Sequence, residues 1–517
     1  MKKYKVCILA AGIGSRSFDP NINKSLLPLD GRAVISNIIN KFNTNQKFVI
    51  ALGYLHDQVR QYLLHAHPNT KFEFVKIKKY FGHGSGPGHS LLCCEKKLKC
   101  PFIMTTADTV VLENISSPSE NWMGVAPIKN TSDFCTVQTN GNFVTRIDDK
   151  TVNDNRLAWI GLAGIKDYKY FFNCLKKNQK HTRNEIQISN GLKGLIGKSI
   201  KTENYTWYDT GSFENYKIAK ETLEDAKFDF SKPDEYIYQL DDKIIKFFID
   251  SNKVRLLKKR WIKLKKITPK KLKFTNNFLS YEKFKGSTLY QVINNNVLKN
   301  LLVFLDRNLW HRKSKTASKK FFNNCKEFYY TKTLSRIDLF YNKNSFKDKN
   351  YRINGIDRKK LSFYLDKIDW NYLSKGIETN FHGDLQFDNI ILDNSGKQFK
   401  LIDWRSDFND EILKGDLYYD LSKLYAGCML PYSQIKRGNF SFDFENDEVL
   451  YDFAINNNLV DAKYEFETYI SKNNLDIKKI KIISSLIYLN MSPLHVEPFS
   501  YLLFFLGINK LADALQS

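Results

Sequence analysis

The pattern of apolar and polar positions changes partway along the chain. Up to about residue 225, short apolar runs at positions 6–9 and 47–52 alternate with segments of helical periodicity at 33–42 and 56–64. Apolar runs of this length between turns are typical of strands buried in a parallel sheet. Their alternation with helices predicts an N-terminal α/β domain over residues 1–225 with a mostly parallel sheet.

From residue 226 onward the pattern predicts a second domain. Two apolar segments, 235–240 and 243–248, flank Asp241 and Asp242 and predict a β-hairpin. Aromatic-rich amphipathic patterns continue to the end of the chain and predict an all-helical region. We assign residues 226–517 to this domain, with a first lobe at about 226–290 and a second lobe at about 291–517.

The charge of the chain bears on its partners. Its 517 residues include 80 Lys and Arg against 55 Asp and Glu, for a net charge of +25. Such a charge fits nucleic acid, a membrane surface or anionic substrates. Because the lysines are scattered, we favour a Lys- and Asn-rich composition over a basic nucleic-acid-binding protein, which would need a basic stripe with interleaved aromatic residues.

The lengths of the apolar runs also indicate where in the cell the protein is expected. No stretch approaches the roughly 18 apolar residues of a membrane span, and the N-terminus enters a strand at once, which leaves no room for a signal peptide. We expect a cytoplasmic protein without membrane insertion, whose eight cysteines are reduced and mostly structural. A homo-oligomer remains open.

The first apolar run ends in a glycine-rich motif. Its sequence is Leu-Ala-Ala-Gly-Ile-Gly-Ser-Arg, followed eight residues later by Lys24. Glycines let backbone N–H groups approach a triphosphate, and Arg16 and Lys24 can neutralise its charge. The motif resembles the signature of the sugar-phosphate nucleotidyltransferases and the related phosphocholine cytidylyltransferases. That resemblance implies a Rossmann-like, GT-A-like mixed sheet, catalytic roles for Arg16 and Lys24, and nucleotide binding by Leu9, Ala10, Ala11, Gly12, Gly14 and Ser15.

A second glycine-rich stretch spans residues 81–91. Its four glycines predict a loop that opens a helix at about Ser90. The same resemblance implies that Gly86 and Gly88 lie against the base and ribose of the nucleotide. His83 and His89 have no partner at metal-ligand spacing, so we do not assign them a metal.

Two carboxylates are candidates for a magnesium site in the first domain. Asp108 follows the apolar run 101–107, and the carboxyl ends of parallel strands are where open α/β sheets bind ligands. Asp209 stands in Trp-Tyr-Asp-Thr-Gly, which resembles the Trp-x-Asp-Thr-Gly of the nucleotidyltransferases. The resemblance implies that Asp108 and Asp209 hold Mg²⁺ on the triphosphate and that Trp159, Gly164 and Glu185 contact the acceptor.

The second domain carries a kinase-like pair of motifs. His382-Gly383-Asp384 is followed at the spacing of a catalytic loop by Asn389, and a short strand, a polar turn and another strand lead to Asp403. By the phosphotransfer template, Asp384 accepts the proton of the substrate hydroxyl, and Asn389 and Asp403 hold Mg²⁺ on ATP. The motifs resemble the choline kinase and aminoglycoside phosphotransferase family, which implies a bilobal protein-kinase-like α+β domain.

Further residues of the second domain are assigned with the same template. Lys246 on the hairpin and Glu282 in a hinge-like stretch are candidates to bind ATP. The helix at 252–265 has no acidic residue to pair with Lys246, so either its partner comes from elsewhere or Lys246 does not bind phosphate. The resemblance implies supporting roles for His382 and Asp416, and the sequence positions of Trp404 and Arg405 suit an acceptor site.

The two halves together predict consecutive reactions. The kinase half would phosphorylate a small hydroxyl compound with ATP, and the N-terminal half would attach NMP from an NTP, with CTP favoured, to make a precursor for cell-surface polysaccharide or lipid. A sugar kinase joined to a sugar-1-phosphate nucleotidyltransferase is the alternative. The acceptor stays open, with a slight preference for choline or ethanolamine because the second lobe is rich in aromatic residues. An enzyme with only one active half is a further rival.

Overall fold

The computed structural model describes residues 3–14, 19–224, 234–311 and 318–516. The chain divides into two compact units. The first is formed by Met1–Asp225 with Glu235–Ile249, and the second by Ala226–Asp234 with Asp250–Ser517. The first unit is mixed α/β, and the second combines many helices with small sheets.

The strands of the first unit bury apolar side chains. In the first and fourth of them, every residue after the first is buried, as the sequence pattern predicts for strands covered on both faces. The strands are β1 (Lys5–Ala10), β2 (Pro28–Leu29), β3 (Arg32–Ala33), β4 (Lys47–Leu52), β5 (Lys71–Lys76), β6 (Phe102–Thr106), β7 (Thr109–Val111), β8 (Asn121–Pro127), β9 (Cys135–Asn140), β10 (Phe143–Asp149), β11 (Leu157–Ile165), β12 (His181–Thr182), β13 (Glu185–Ile186), β14 (Ile200–Asn204), β15 (Trp207–Asp209), β16 (Glu235–Gln239) and β17 (Lys243–Phe248).

A nine-stranded mixed sheet forms the centre of this unit, in the order β5-β4-β1-β6-β11-β8-β14-β10-β9. Strands β5, β4, β1 and β6 are parallel to one another. Strand β11 is antiparallel to both β6 and β8, so the expected parallel character does not extend across the sheet. The carboxyl ends of β1, β4 and β6 meet at one edge, and ligands of open α/β sheets bind at such an edge.

The helices of the first unit are α1 (Val34–Ile39), α2 (His56–Ala66), α3 (Pro87–Cys94), α4 (Tyr168–Lys177), α5 (Ser189–Leu195) and α6 (Phe213–Leu223). The expected start of α3 at Ser90 is wrong by one turn, and Gly88 lies inside the helix. Pro87 suits the first helical position, because its missing N–H would have no intrahelical partner there. Gly86 caps the helix with a φ of +110°, which favours glycine.

The hairpin of β16 and β17 belongs to the first unit, whereas its sequence position suggests the second domain. The Tyr238 hydroxyl donates to the carbonyl of Leu26 at 2.6 Å, and its ring centroid lies 4.8 Å from that of Tyr62. The N–H of Gln239 donates to the carbonyl of Gly31. These are contacts between distant parts of the chain, which strand periodicity does not reveal.

The second unit contains the remaining elements. Its strands are β18 (Lys273–Phe274), β19 (Phe278–Glu282), β20 (Gly286–Thr288), β21 (Tyr351–Ile353), β22 (Ile356–Arg358), β23 (Glu378–Thr379), β24 (Ile390–Asp393), β25 (Phe399–Leu401), β26 (Gly415–Asp416), β27 (Ser441–Glu445) and β28 (Glu448–Asp452). Its helices are α7 (Ser251–Leu264), α8 (Leu289–Val292), α9 (Asn295–Leu305), α10 (Lys319–Lys326), α11 (Lys332–Asn344), α12 (Leu361–Asp366), α13 (Trp370–Ser374), α14 (Leu417–Met429), α15 (Tyr432–Lys436), α16 (Asn457–Lys472), α17 (Ile477–Met491) and α18 (Phe499–Gln516).

The expectation of an all-helical region after residue 291 is wrong. Strands β22, β21, β28 and β27 form a four-stranded sheet there. Its hairpins turn at Asn354 with Gly355 and at Asn446 with Asp447, and all four residues have positive φ. Two-residue turns of this kind match the twist of paired strands. In the described residues, no helix has both the length and the apolar character needed to cross a membrane.

Candidate active sites

The glycine-rich loop after β1 is held at the carboxyl edge of the sheet. The N–H of Tyr54 donates to the carbonyl of Ala11 at 3.0 Å, and a Cβ on Gly53 would overlap that carbonyl oxygen. The N–H of Ala107 donates to the carbonyl of Leu9 at 3.2 Å. The segment from Leu9 to Gly12 thus sits between the ends of β4 and β6. Ser15 and Arg16 lie outside the described residues.

Lys24 points at the end of β6. Asn23 orders this segment, because its side-chain oxygen accepts from the N–H of Ser25 and its side-chain nitrogen donates to the carbonyl of Tyr54. The Lys24 ammonium forms a salt bridge with the carboxylate of Asp108. Gly14 adopts a φ of +75°, and a Cβ on it would lie 3.1 Å from Cδ of Lys24. The structure therefore brings Gly14, Lys24 and Asp108 together.

Asp209 lies beside Asp108. Strand β15 pairs with β7, and the N–H of Thr210 donates to the carbonyl of Asp108 at 3.0 Å. A Cβ on Gly211 would lie 2.9 Å from Oδ1 of Asp209 and 3.1 Å from Oδ2 of Asp108. Both carboxylates thus face the same small space, although 100 residues of sequence separate them.

The two carboxylates differ in their pKa. Burial tends to raise the pKa of Asp108, but the charge and the hydrogen bond of Lys24 outweigh it, so that the pKa lies below its ordinary value. Burial and the negative charge of Asp108 raise the pKa of Asp209, although the N–H of Gly211 and the amide of Asn215 oppose this. A cation shared by the two carboxylates would relieve their repulsion.

This donor set fits Mg²⁺ that arrives with a nucleotide. In proteins Mg²⁺ is bound through one or two carboxylates, with phosphates and water completing its octahedron. Over residues 3–14, 19–224, 234–311 and 318–516, no group of three or more His, Cys, Asp or Glu side chains could hold a metal ion without such help. The Asp108 and Asp209 pair therefore suits an ion that arrives on a nucleotide.

The second glycine-rich loop packs on β13. The N–H of Ile186 donates to the carbonyl of Ser85 at 2.8 Å, and Cβ atoms on Gly86 and Gly88 would lie 2.7 Å from Glu185 Cβ and from the Ile186 carbonyl oxygen, respectively. Only glycines permit this approach. The structure thus places Gly86 and Gly88, which are expected to contact the nucleotide, next to Glu185, which is expected to contact the acceptor.

Two residues expected at the acceptor pocket have other surroundings. A Cβ on Gly164 would overlap the indole nitrogen of Trp122, so Gly164 makes room for a buried tryptophan inside the sheet, and its contact with the acceptor stays a prediction. Trp159 packs on the core, and its indole N–H donates to the carbonyl of Leu162 at 2.8 Å. Sequence reasoning missed Gly161, whose φ of +81° in an irregular part of β11 lets the strand pass Thr106 and Thr109.

In the second unit, Asp384 is held by charged and polar neighbours. Its Oδ1 lies 2.9 Å from the ammonium of Lys423 and accepts from the side-chain amide of Gln386 at 2.9 Å. Burial tends to lower the pKa of Lys423, but the charge of Asp384 outweighs it and raises that pKa, so the lysine stays protonated. Lys423 is a site residue that the sequence analysis missed, because lysines are frequent throughout the chain.

The two predicted metal-binding positions lie on loops that are bonded to each other. The N–H of Ile402 donates to the carbonyl of Asn389 at 2.9 Å, and the N–H of Arg405 donates to the carbonyl of His382 at 3.0 Å. The side-chain nitrogen of Asn389 donates to the carbonyl of Asp384 at 2.8 Å, which leaves its amide oxygen as the atom that can bind a metal. Asp403 lies on the second of these loops, between Ile402 and Arg405, and adopts a φ of +60°. Asn389 and Asp403 offer oxygen ligands, so this donor set also fits Mg²⁺ borne by a nucleotide.

Asp420, one helical turn after Asp416, holds the loop that carries Asp384. The carboxylate of Asp420 accepts from the N–H groups of His382 and Gly383, both at 2.7 Å. Asp416 caps α14 and accepts from the Tyr329 hydroxyl and the N–H of Ile377, which lie outside that loop, so its supporting role stays a prediction. One helical turn separates the two aspartates, and their spacing could have suggested that both point to the same side.

Arg260 of α7 is a second support that the sequence did not reveal. Its buried guanidinium donates to the carbonyls of Phe381 and Arg405 and lies 4.1 Å from the ring centroid of Phe381. Burial lowers its pKa to about 10, and the charge of Asp420 opposes this. His382 is fully buried, and burial lowers its pKa to about 4, so it is neutral at physiological pH. A neutral, enclosed His382 suits the supporting role expected for it.

The remaining candidates have varied surroundings. Trp404 is buried, and its indole N–H donates to the carbonyl of Leu257 at 3.3 Å, while its contact with the acceptor stays a prediction. Glu282 ends β19, with its carboxylate 3.4 Å from the ammonium of exposed Lys271. Lys246 lies in the first unit, where its buried ammonium is 3.2 Å from the carboxylate of Glu235 on the neighbouring strand. Glu235 is thus an acidic partner from outside the helix in which one was sought.

The N-terminal half of the chain is similar to sugar-phosphate nucleotidyltransferases. The curated relative is the Bifunctional protein GlmU of Methanococcus aeolicus, with 26% identity over 219 residues, 40% of this chain and 50% of that protein. The chain therefore spans about half the length of the curated relative it matches. No family model matches the chain.

Solved nucleotidyltransferase structures also match part of the chain. A putative glucose-1-phosphate thymidylyltransferase from Bacillus anthracis shows 19% identity and a TM-score of 0.37, over 44% of this chain and 98% of its own. The CTP:phosphocholine cytidylyltransferase LicC of Streptococcus pneumoniae shows 18% identity and a TM-score of 0.36, over 43% of this chain and 100% of its own.

Proposed function

We propose that the first unit transfers NMP from an NTP to the phosphate of a small molecule. The observation that carries this proposal is the convergence of Lys24, Asp108 and Asp209 beside the glycine-rich loop at the carboxyl edge of the sheet. Backbone N–H groups of that loop and the positive charge of Lys24 suit a triphosphate, and the paired carboxylates suit its magnesium ion. The sequence similarity of the N-terminal half to nucleotidyltransferases supports the same activity.

The chemistry requires positioning more than a general base. A phosphate oxygen of the acceptor attacks the α-phosphorus in line, the bond from that phosphorus to the bridging oxygen breaks, and pyrophosphate leaves. The attacking oxygen is already an anion, so no residue has to remove a proton. Magnesium, held by Asp108 and Asp209, would supply charge neutralisation on the phosphates. Lys24, now bonded to Asp108, would move to the phosphates, and Arg16 is proposed to bind them too.

We propose that the second unit transfers the γ-phosphoryl group of ATP to a small hydroxyl compound. The observation that carries this proposal is the bonding of the Asp384 loop to the Asp403 loop, with Lys423 fixing the carboxylate of Asp384. Asp384 would accept the hydroxyl proton, and Asn389 and Asp403 would hold magnesium on the ATP phosphates. Glu282 remains a proposed contact of the nucleotide, whereas the nucleotide-binding role of Lys246 stays a prediction of the sequence.

The two proposed reactions form a sequence in which the product of the second unit is the acceptor of the first. CTP is the favoured nucleotide, and the product would be an activated precursor for cell-surface polysaccharide or lipid, made in the cytoplasm. The alternative product is an NDP-sugar, made by a sugar kinase joined to a sugar-1-phosphate nucleotidyltransferase. Binding of nucleic acid is the remote alternative, suggested by charge alone.

The test measures pyrophosphate release from each of the four NTPs with phosphocholine, phosphoethanolamine, glycerol phosphate and hexose 1-phosphates. We expect release with one nucleotide and one acceptor class. Asp108→Ala should abolish it and leave ATP-dependent phosphorylation intact, whereas Asp403→Ala should do the reverse. Asp57→Asn, at an exposed position of α2, is the matched control. Absence of release from every pair in folded protein would overturn the proposal.

A further inference from the structure

A cavity of about 300 Å³ opens next to the Asp384 loop in the second unit. Its lining includes Phe328, in the turn before α11, and Lys332, the first residue of α11. Arg405 also lines the cavity. The residues before α11 follow a π-helical path, which occurs often at functional sites. The side chain of Arg405 lies against Gly383, because a Cβ on Gly383 would be 2.6 Å from Cβ of Arg405. The cavity thus adjoins the residue directly before Asp384.

Two cations cover the aromatic wall of this cavity. The Lys332 ammonium lies 4.2 Å from the ring centroid of Phe328, and the guanidinium carbon of Arg405 lies 4.9 Å from the same centroid. Lys332 is also 5.9 Å from the ring centroid of Tyr419. The aromatic surface is therefore already occupied by positive charge from the protein, which leaves it unsuited to an incoming cation.

The acidic residues that the structure describes nearby do not form salt bridges with these two cations. In the described part of the chain, neither Lys332 nor Arg405 forms a salt bridge with a carboxylate; Arg405 donates to the backbone carbonyl of Asp407 at 3.0 Å. Glu327 is exposed and accepts from Thr331, and the carboxylate of Asp407 accepts from Ser406 at 2.6 Å. The charge of Asp384 is matched by Lys423. The carboxylates of Glu327 and Asp407 also line the cavity, but over the described residues neither is bonded to Lys332 or Arg405, so both cations can still bind an anion.

The surroundings of Lys332 disfavour its own charge. Burial, and then the positive charges of Arg405, Lys423 and Arg336, hold the pKa of Lys332 well below its ordinary value, and Asp384 opposes this only in part. A half-buried ammonium between other cations is stabilised when an anion binds. The hydroxyl of Ser335, which also lines the cavity, can donate to such an anion.

We propose that Lys332 and Arg405 bind an acidic group of the acceptor, so that the second unit phosphorylates a hydroxyl compound bearing a phosphate or a carboxylate. This inference rests on the proposed phosphotransfer activity. With the acid group between Lys332 and Arg405, the hydroxyl oxygen bonds to the γ-phosphorus, the bond from that phosphorus to the bridging oxygen breaks, and ADP leaves. The hydroxyl proton passes to Asp384. A choline-like cation is excluded as the preferred acceptor by the same charges.

The experiment measures ADP formation by the full-length protein with sn-glycerol 3-phosphate, glycerate, glycerol and choline as acceptors. The phosphate ester and the carboxylate separate the two possible acid groups. We expect turnover with an anionic acceptor, and Lys332→Gln should raise its KM about 10- to 100-fold with little change in the KM for ATP, since one charge-assisted contact is lost. Lys332→Arg should restore most of the affinity. Lys367→Gln removes an exposed lysine that also lies over an aromatic ring, Phe363, and is the matched control.

A second measurement follows the melting temperature with sn-glycerol 3-phosphate or inorganic phosphate in the presence of ADP. We expect stabilisation of the wild-type protein and of Lys367→Gln but not of Lys332→Gln. If these anions stabilise the protein in that pattern and no acceptor of any charge is phosphorylated, the phosphotransfer proposal fails and the anion site stands. Preferred turnover of glycerol or choline, an effect of Lys332→Gln on the KM for ATP alone, or the absence of any anion effect would overturn the anion site.

Discussion

Replacement of Gly211 by alanine tests whether the two carboxylates of the first unit act together. The backbone of Gly211 does not require glycine, because its φ lies outside the left-handed region, and its N–H would still donate to Asp209. The added methyl group would lie 2.9 Å from Oδ1 of Asp209 and 3.1 Å from Oδ2 of Asp108, against an ordinary contact of at least 3.4 Å. The two oxygens therefore have to move by about 0.5 Å and about 0.3 Å.

Displacements of this size affect catalysis more than stability. Catalytic groups have to be held within about 0.5 Å, and a misplacement of about 1 Å can cost about 100-fold in rate. We expect Gly211→Ala to lower kcat/KM for pyrophosphate release about 10-fold, or about 1.4 kcal/mol of transition-state stabilisation, and to raise the magnesium concentration needed for half-maximal rate. The melting temperature should change little, because the carboxylates can rotate away.

The control is Gly197→Ala, because a Cβ there has no neighbour within 4 Å in the described structure and the φ of Gly197 is also compatible with alanine. It should leave both the rate and its magnesium dependence unchanged. An unchanged rate in folded Gly211→Ala, or equal losses in both variants, would refute the placement of Asp108 and Asp209 around one ion.

Three further substitutions test other parts of the structure. Gly164→Ala should destabilise the first unit by about 1–3 kcal/mol through overpacking against Trp122, which thermal unfolding would measure. A raised KM for the acceptor without a loss of stability would instead favour a contact between Gly164 and the acceptor. Burial raises the pKa of Asp420 to about 6, so the folded state binds more protons than the unfolded state. The contribution of Asp420 to the free energy of unfolding is therefore present at acid pH and is lost as the pH rises through about 6. Asp420→Asn should remove that slope from melting temperatures measured between about pH 4 and about pH 7, and an identical slope in both proteins would contradict the shift. Lys423→Met should lower acceptor-dependent ADP formation at least about 10-fold by removing the cation bonded to Asp384, with pyrophosphate release as the internal control.

Local sequence signals were sufficient for much of the first unit. The apolar runs that became β1, β4 and β6 and the periodic segment that became α2 were identified with nearly correct bounds. The helix α3 was placed one turn late, because four glycines were interpreted only as loop residues and the preference of proline for a helix start was not used. The four-stranded sheet of the second unit was missed, although the turn sequences Asn-Gly and Asn-Asp are hairpin signals.

Residue spacing was less informative about which side chains reach a site. Gly164 is expected at an acceptor pocket from the resemblance and Trp404 from its position in the sequence; in the structure the first makes room for Trp122 and the second packs against α7. The resemblance likewise gives the supporting role to Asp416, but it is Asp420, one helical turn further on, that reaches His382 and Gly383. Motif spacing determines the order of groups along the chain, not the direction of each side chain.

The sequence by itself determined the alternation of elements in the first half, the glycine loops, and the chemical groups offered at the ends of strands. These depend on local backbone preferences and on short-range periodicity, which each segment carries within itself. The tertiary structure alone decided that Lys24 bonds to Asp108, that Asp209 shares the space beside Gly211, and that Lys332 and Arg405 both lie over the ring of Phe328. Charge balance and burial at a site are sums over residues from distant segments, and only packing sets which residues enter the sum.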